Sequence, residues 1–162
     1  MWRMAKSAAF PPFHEMLARN GACAPGKLAF SVSIFDHLLT EEEAAGCSLF
    51  TYDQAREGGQ RAEYLAGEAR FLKLYHRLAV RGVSRVLASG RLAPLAPKSR
   101  RFGEVLVSSL RERRFMDLYF HGYDLRVFGY WDRTDIWLCR DEAHLDELRT
   151  AIADAGLFEL SW

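Results

Sequence analysis

The stretch FMDLYFHGYDLRVFGYWDRTDIWLC, residues 115–139, decides the fold because apolar and polar side chains alternate along most of it. Alternation with a period of two is typical of antiparallel strands that bury one face. The pattern breaks at Gly122-Tyr123, where glycine suits a type II′ turn, and at Asp132-Arg133, whose turn chemistry is less favourable. These breaks predict a three-stranded antiparallel meander with strands at 115–121, 124–131 and 134–139.

Two-residue turns at both breaks assign the side chains of the meander to two faces. The apolar face, which we expect in the core, carries Met116, Leu118, Phe120, Leu125, Val127, Gly129, Ile136 and Leu138. The reverse face mixes rings with charges and carries Phe115, Asp117, Tyr119, Arg126, Phe128, Tyr130, Asp135, Trp137 and Cys139. Tyr119 opposite Arg126 permits a cation–π contact, and Asp117 diagonal to Arg126 permits an ion pair. Two interpretations stay open for this reverse face: a second apolar layer under a helix at 61–81 or under the basic segment, or an exposed recognition platform.

Patterns elsewhere in the chain add helices to this sheet. Apolar residues recur at helical spacing over 61–81, a capping box starts a short helix at Thr40, and a final helix runs from a cap at Asp141 to Gly156. An apolar strand is predicted at 27–36. Weaker patterns predict a helix at 11–20, a strand at 48–52 and a helix at 83–89, and leave 102–110 open between helix and strand. We therefore predict a single α+β domain over residues 1–162, an antiparallel sheet built on the meander and packed against several helices, including a long central helix and a C-terminal helix.

Charge is distributed unevenly along the 162 residues, although the formal net charge is only +1. Residues 55–114 carry 14 basic and 5 acidic side chains, whereas residues 115–162 carry 4 basic and 10 acidic ones. The densest basic segment contains Lys98, Arg100, Arg101, Arg111, Arg113 and Arg114. Clustered guanidinium groups bind anions bidentately, which favours a phosphate backbone or an acidic protein as the partner. The alternative is that the basic middle is neutralised by the molecule's own acidic last third.

The sequence lacks the common motifs of catalysis, metal binding and nucleotide binding. Three cysteines form no CxxC pair, five histidines show no ligand spacing, and neither a GxSxG elbow nor a Walker lysine occurs. We therefore expect no metal, no cofactor and no catalytic residue. No apolar run reaches membrane-spanning length and the first 13 residues do not resemble a signal peptide, so we expect a cytoplasmic protein that does not bind membranes.

The function predicted from these patterns is that of a non-catalytic regulatory or accessory protein that binds an anionic macromolecule, with nucleic acid preferred over an acidic protein. The predicted binding residues are Arg100, Arg101, Arg111, Arg113, Arg114, Tyr119, Arg126, Phe128 and Tyr130. The alternative function is a protein-binding inhibitor, immunity-type factor or adaptor that uses the same surface. A third hypothesis is a small enzyme with His121 as general base, Asp117 or Asp124 nearby, and Arg126 stabilising negative charge.

Overall fold

The computed structural model describes residues 28–140 and 142–161, which form five helices and one antiparallel sheet of seven strands. The strands are β1 (Leu28–Ser33), β2 (Val83–Val86), β3 (Leu92–Leu95), β4 (Asp117–Phe120), β5 (Leu125–Phe128), β6 (Thr134–Cys139) and β7 (Phe158–Leu160). The helices are α1 (Glu41–Gly46), α2 (Tyr52–Glu57), α3 (Arg61–Ala79), α4 (Arg100–Leu110) and α5 (Leu145–Asp154). The strand order is β3-β2-β4-β5-β6-β1-β7, and all neighbours are antiparallel. The predicted α+β fold is confirmed.

The first hairpin of the meander has the predicted register but a different turn. Phe120 pairs with Leu125 and Leu118 pairs with Val127. The connection is a 3₁₀ turn, His121–Tyr123, followed by Asp124 in the left-handed region at φ 45°. A type II′ turn would instead need a positive φ at Gly122, which is not among the left-handed glycines. The register is the predicted one because Phe120 and Leu125 still face each other, although the connection has four residues, 121–124, instead of two.

The second hairpin is shifted by one residue from the prediction. Val127 pairs with Trp137 and Leu125 with Cys139, so Trp137 and Cys139 are on the core face, while Ile136 and Leu138 are on the reverse face. The predicted face of Ile136 and Leu138 is therefore wrong, although both side chains are buried. The cause is the connection between β5 and β6, which spans 129–133 and is not a two-residue turn at Asp132-Arg133. Shifting a register by one residue exchanges the two faces of a strand.

Three helices cover the core face of the sheet. The long helix α3 buries the side chains of Tyr64, Phe71, Leu74, Tyr75 and Leu78. Helices α4 and α5 add Phe102, Leu106, Leu110, Leu148 and Ile152 to the same cluster. The predicted long helix is confirmed. Its buried side is centred on Phe71 and Tyr75, and His76 is exposed with its ring edge-on to Phe102.

The segment 102–110, left open by the sequence, lies in helix α4. The Ser99 hydroxyl caps this helix by accepting a 3.2 Å hydrogen bond from the Phe102 amide. Phe102, Leu106 and Leu110 then recur on the side of α4 that faces the sheet. A helix that buries one apolar side is stabilised by this packing more than by the propensities of its residues, which explains why valines do not prevent it.

Two weaker predictions are wrong. Residues 48–50 form a turn before α2 rather than a strand, because the Thr51 side chain caps that helix at the Gln54 amide. The predicted helix at 83–89 is strand β2, whose position depends on its pairing with β4. The predicted helix at 11–20 and the predicted cap Asp141 lie outside the described residues.

The predicted start of the short helix α1 and the predicted end of the C-terminal helix α5 are confirmed. Thr40 and Glu43 form the capping box of α1. Gly156, at φ 74°, follows α5 in a Schellman motif in which the Leu157 amide donates to the Ile152 carbonyl oxygen at 3.1 Å.

Candidate functional site

Arg111, a predicted binding residue, joins two helices. Its Nε and Nη2 atoms donate to the Glu68 carboxylate of α3 at 2.7 and 2.8 Å. The same guanidinium lies 4.2 Å from the centre of the Tyr52 ring. Glu68 raises the pKa of Arg111 through these hydrogen bonds. Arg111 therefore already has two partners within the fold, the Glu68 carboxylate and the Tyr52 ring.

Arg126, Tyr119 and Phe128 lie together on the reverse face of the sheet. Arg126 is only 4% exposed and donates to the Asp117 carboxylate at 2.9 and 2.7 Å, which is the predicted ion pair. Its guanidinium also lies 4.4 Å from the centre of the Phe128 ring. The Tyr119 hydroxyl donates to Asp124 at 2.5 Å. The pKa of Tyr119 is raised to about 12, mainly by burial and secondly by the hydrogen bond to Asp124. Tyr119 and Phe128 pack against Leu138, so this part of the face is a partly buried layer, while α3 covers the opposite face.

Two other predicted residues, Arg101 and Arg114, line a cleft of about 400 Å³ between α4 and the β2–β4 side of the sheet. We name it the arginine cleft. Its polar lining consists of Arg85, Arg101, Glu104, Ser108, Arg114 and Asp117. Arg101, Glu104 and Ser108 share one side of α4 because they are separated by three and four residues. Arg85 reaches the cleft from β2, and Phe115 completes its rim after Arg114.

The arginine cleft has an excess of positive charge because its two carboxylates are already paired. Glu104 accepts a 2.7 Å hydrogen bond from Arg100, and Asp117 is held by Arg126. Within residues 28–140 and 142–161, no ion pair is formed by the three guanidinium groups that line the cleft, those of Arg85, Arg101 and Arg114. Such convergent groups attract anions and can bind phosphate oxygens bidentately.

An exposed pair of rings adjoins the arginine cleft. Phe115, on the rim, and Trp131 have ring centres 4.8 Å apart with planes at 80°. Phe115 is 36% and Trp131 51% exposed. We name these two side chains the ring pair. Tyr130, predicted from the sequence as a binding residue, is also exposed beside Trp131. Exposed rings beside arginines can stack on nucleic-acid bases.

The loop that carries Trp131 is held by two neighbouring residues. The Asp132 amide donates to Glu112 Oε1 at 2.8 Å. Arg133 Nη2 donates to the Tyr64 carbonyl oxygen at 2.9 Å, and its guanidinium lies 4.2 Å from the centre of the Tyr64 ring. Glu112, Asp132 and Arg133 have φ values of 56°, 60° and 54°. These left-handed conformations are unfavourable for residues other than glycine, so the contacts that hold them also fix the position of Trp131.

The remaining predicted binding residues, Arg100 and Arg113, are exposed. Arg100 is paired with Glu104, whereas Arg113 makes no ion pair in the described part of the chain. Sequence reasoning missed Arg85, Ser108 and Trp131. A signal for Trp131 is present in the sequence, since two large rings, Tyr130 and Trp131, come just before a turn. Arg85 had no such signal because its position depends on the pairing of β2 with β4.

His121, the candidate general base, forms a hydrogen bond with Ser84. The His121 Nε2 and Ser84 Oγ atoms are 2.8 Å apart, and burial lowers the pKa of His121. Ser84 is only 1% exposed, so a substrate cannot reach its oxygen. Asp124, one of the proposed helpers, contacts Tyr119 and Arg140. This arrangement suits a structural hydrogen bond better than a nucleophile and its base.

A second, smaller cleft of about 180 Å³ is mainly apolar. Phe35, Leu38, Phe50, Tyr130 and Trp131 contribute its large side chains, and Leu38 is 62% exposed. Trp131 therefore belongs both to the apolar cleft and to the ring pair. An exposed apolar cleft of this kind is a feature of protein-binding surfaces.

The part of the chain that the structure describes holds no group of three or more His, Cys, Asp or Glu side chains that could bind a metal ion. In the ranges 28–140 and 142–161 no helix has the length and apolar character needed to cross a membrane. Comparison with known protein families, curated proteins and solved structures finds no match to this chain.

Proposed function

We propose that this chain is a non-catalytic regulatory or accessory protein that binds nucleic acid at the arginine cleft. One observation carries the proposal: Arg85, Arg101 and Arg114 surround a single polar cleft and are not neutralised by described carboxylates. Lys and Arg side chains that replace the counterions of phosphates supply most of the affinity of sequence-independent nucleic-acid binding. The adjoining ring pair offers stacking surface for bases, which an acidic protein would not require.

Several basic side chains elsewhere on the surface are compensated internally, unlike the arginines of the cleft. Arg77 pairs with Asp154 at 2.8 Å, Arg81 with Glu147 at 3.1 Å and Arg149 with Glu159 at 2.8 Å. Lys73 donates to the Asp154 carbonyl oxygen, where a positive charge also stabilises the end of α5. Internal neutralisation by the acidic last third therefore accounts for Arg77 and Arg81 of the basic middle, but not for the arginines of the cleft.

Fluorescence anisotropy with a mixed-sequence, single-stranded oligonucleotide tests the proposal. At about 50 mM salt, where counterion release favours binding, the full chain should bind the oligonucleotide. The double variant Arg101→Gln, Arg114→Gln should bind at least about tenfold more weakly. Arg149→Gln is the matched control for each single variant because it also removes one positive charge, but beside β7, at the opposite edge of the sheet. No detectable binding at this salt concentration would exclude a nucleic-acid function.

A protein-binding inhibitor, immunity-type factor or adaptor is the second candidate function, and the apolar cleft favours it. Leu38, Tyr130 and Trp131 present exposed apolar surface there, and aromatic side chains are common anchors in protein interfaces. Co-purification from the native host separates the two candidates. One stoichiometric protein that is lost on Trp131→Ala supports the second, whereas bound material that nuclease treatment removes supports nucleic acid.

A further inference from the structure

The shape and charge of the arginine cleft restrict the part of a nucleic acid that it can hold. Its volume of about 400 Å³ falls within the range of about 300–1,000 Å³ that is usual for small-ligand pockets. The side chains of three arginines, Arg85, Arg101 and Arg114, line this one concave space. A backbone that tracks along a protein needs a row of positive charges, whereas a concave cluster suits one highly charged group.

The acidic walls of the cleft also oppose a continuous phosphate backbone. Glu104 and Asp117 both line the cleft, so a chain of phosphates that passed through it would come close to two carboxylates. A single phosphate held between Arg85, Arg101 and Arg114 can avoid these walls. Glu104 pairs with Arg100 and Asp117 with Arg126, and neither carboxylate forms an ion pair with the three cleft arginines.

A terminal phosphomonoester fits this charge balance better than an internal phosphodiester. It carries about −1.5 to −2 charges at neutral pH and three acceptor oxygens, which match several guanidinium donors. An internal phosphodiester carries one negative charge and continues into the chain on both sides. The Ser108 hydroxyl on α4 supplies a further neutral donor in the same cleft.

The position of the ring pair indicates where the base of the terminal nucleotide would lie. Phe115 belongs both to the rim of the cleft and to the ring pair, so a base attached to a phosphate in the cleft would meet Phe115 and Trp131. Stacking on exposed rings needs a base that is not already stacked in a duplex, which favours a single-stranded end. The Glu112 and Arg133 contacts hold the Trp131 loop in place before any ligand binds.

We infer that the arginine cleft binds the terminal phosphate of a single-stranded nucleic acid while the adjoining base stacks on the ring pair of Phe115 and Trp131. This inference rests on the proposed function and narrows it to one end of a strand. It assigns Arg85, Arg101 and Arg114 to the phosphate, Ser108 to an additional hydrogen bond, and Trp131 to the base.

The experiment uses the full chain and three oligonucleotides of one sequence, with a 5′-phosphate, a 3′-phosphate or no terminal phosphate. We expect one of the phosphorylated strands to bind at least about tenfold more tightly than the unphosphorylated strand. This advantage should disappear in Arg101→Gln and in Arg114→Gln and persist in Arg149→Gln. Trp131→Phe should remove ligand-induced quenching of indole fluorescence, and Trp131→Ala should lower affinity about tenfold. Thermal unfolding followed by circular dichroism checks that each variant is folded.

Each other outcome overturns a defined claim. Equal binding of all three strands, weakened equally by Arg101→Gln, overturns the terminal-phosphate inference and leaves the proposed function intact. Equal binding of a duplex and a single strand, both carrying the preferred terminal phosphate, overturns the requirement for an unstacked base. A free mononucleotide that binds as tightly as the phosphorylated strand overturns the inference that a nucleic-acid end is the ligand. Absence of binding to all strands overturns the proposed function and the inference together.

Discussion

Glu112 Oε1 accepts a 2.8 Å hydrogen bond from the backbone amide of Asp132, and this contact connects the end of α4 to the loop that carries Trp131. Burial raises the pKa of Glu112, while the Asp132 amide opposes the shift. The loop is thus held by a side chain three residues from the rim residue Phe115. The position of the ring pair depends on this contact as well as on Arg133.

Loss of the Glu112 carboxylate should loosen the Trp131 loop. We expect Glu112→Ala to lower the free energy of unfolding by about 1 kcal/mol, since one hydrogen bond is lost. Oligonucleotide affinity should fall as well, because Trp131 would no longer be held beside Phe115. Glu112→Gln keeps an acceptor oxygen and is the control. Urea denaturation and anisotropy measure the two effects, and identical behaviour of Ala and Gln would contradict the role of the hydrogen bond.

Asp135 makes stability depend on pH in an unusual direction. This carboxyl is buried beside Tyr75, whose hydroxyl donates to it, and burial raises its pKa from the usual 3.8 to about 7. The folded protein therefore keeps a proton that the unfolded chain releases near pH 4. The contribution of Asp135 to stability is full below pH 4 and is lost as the pH rises towards 7, by up to about 1.4 kcal/mol per pH unit.

The variant Asp135→Asn tests this pH dependence because an amide can still accept the Tyr75 hydrogen bond but does not titrate. We expect the difference in unfolding free energy between native protein and variant to change steadily between pH 4 and pH 7 and to level off above. Chemical denaturation at several pH values measures it. A constant difference over that range would show that Asp135 titrates normally.

Substitution of alanine for each of two helical glycines should change the stability of the fold in opposite directions. A Cβ added to Gly67 in α3 would lie 2.3 Å from Nη2 of the buried Arg133. Because Arg133 is fixed by Tyr64, we expect Gly67→Ala to destabilise the fold by about 1–3 kcal/mol. Gly103 in α4 has no atom within 4 Å of an added Cβ, so Gly103→Ala should stabilise by up to about 1 kcal/mol. Thermal and urea unfolding compare them, and a stabilised Gly67→Ala would contradict the close packing of Arg133.

Arg111 and Arg113 are separated only by Glu112, but their removal should have different effects on stability. Glu68 is 5% exposed, so removal of its partner by Arg111→Ala leaves a nearly buried charge, and we expect a loss of about 3 kcal/mol. Arg113 is exposed, and Arg113→Ala should change stability by less than about 0.5 kcal/mol. Equal unfolding midpoints for the two variants would show that the Arg111–Glu68 pair does not stabilise the fold.

The sequence predicted the elements whose cause is local. The meander, the long helix α3, the Thr40 capping box and the glycine end of α5 each depend on a pattern within a few residues. The register of β6 was missed because the 129–133 connection depends on two left-handed residues that are not glycine. Those conformations are maintained by Glu112 and Tyr64, which are distant in sequence, so no local pattern indicates them.

The candidate site could be predicted only in part. Arg101 and Arg114 stood out because the basic segment is dense, but charge density alone did not separate them from Arg111, whose partner Glu68 is 43 residues away. Arg126 paired with Asp117 as the alternation predicted. Arg85 reaches the same cleft through the pairing of β2 with β4, a contact between distant segments that the sequence pattern did not show.

The salt dependence of oligonucleotide binding is the most direct test of the arginine cleft as the binding site. For single strands the logarithm of the binding constant falls with the logarithm of salt concentration, with a slope of about −0.7 for each phosphate neutralised. If Arg101 and Arg114 together hold one phosphate, the double variant Arg101→Gln, Arg114→Gln should have a slope shallower by about 0.7, and Arg149→Gln should keep the native slope. A double variant with the native slope would show that nucleic acid does not bind at this cleft.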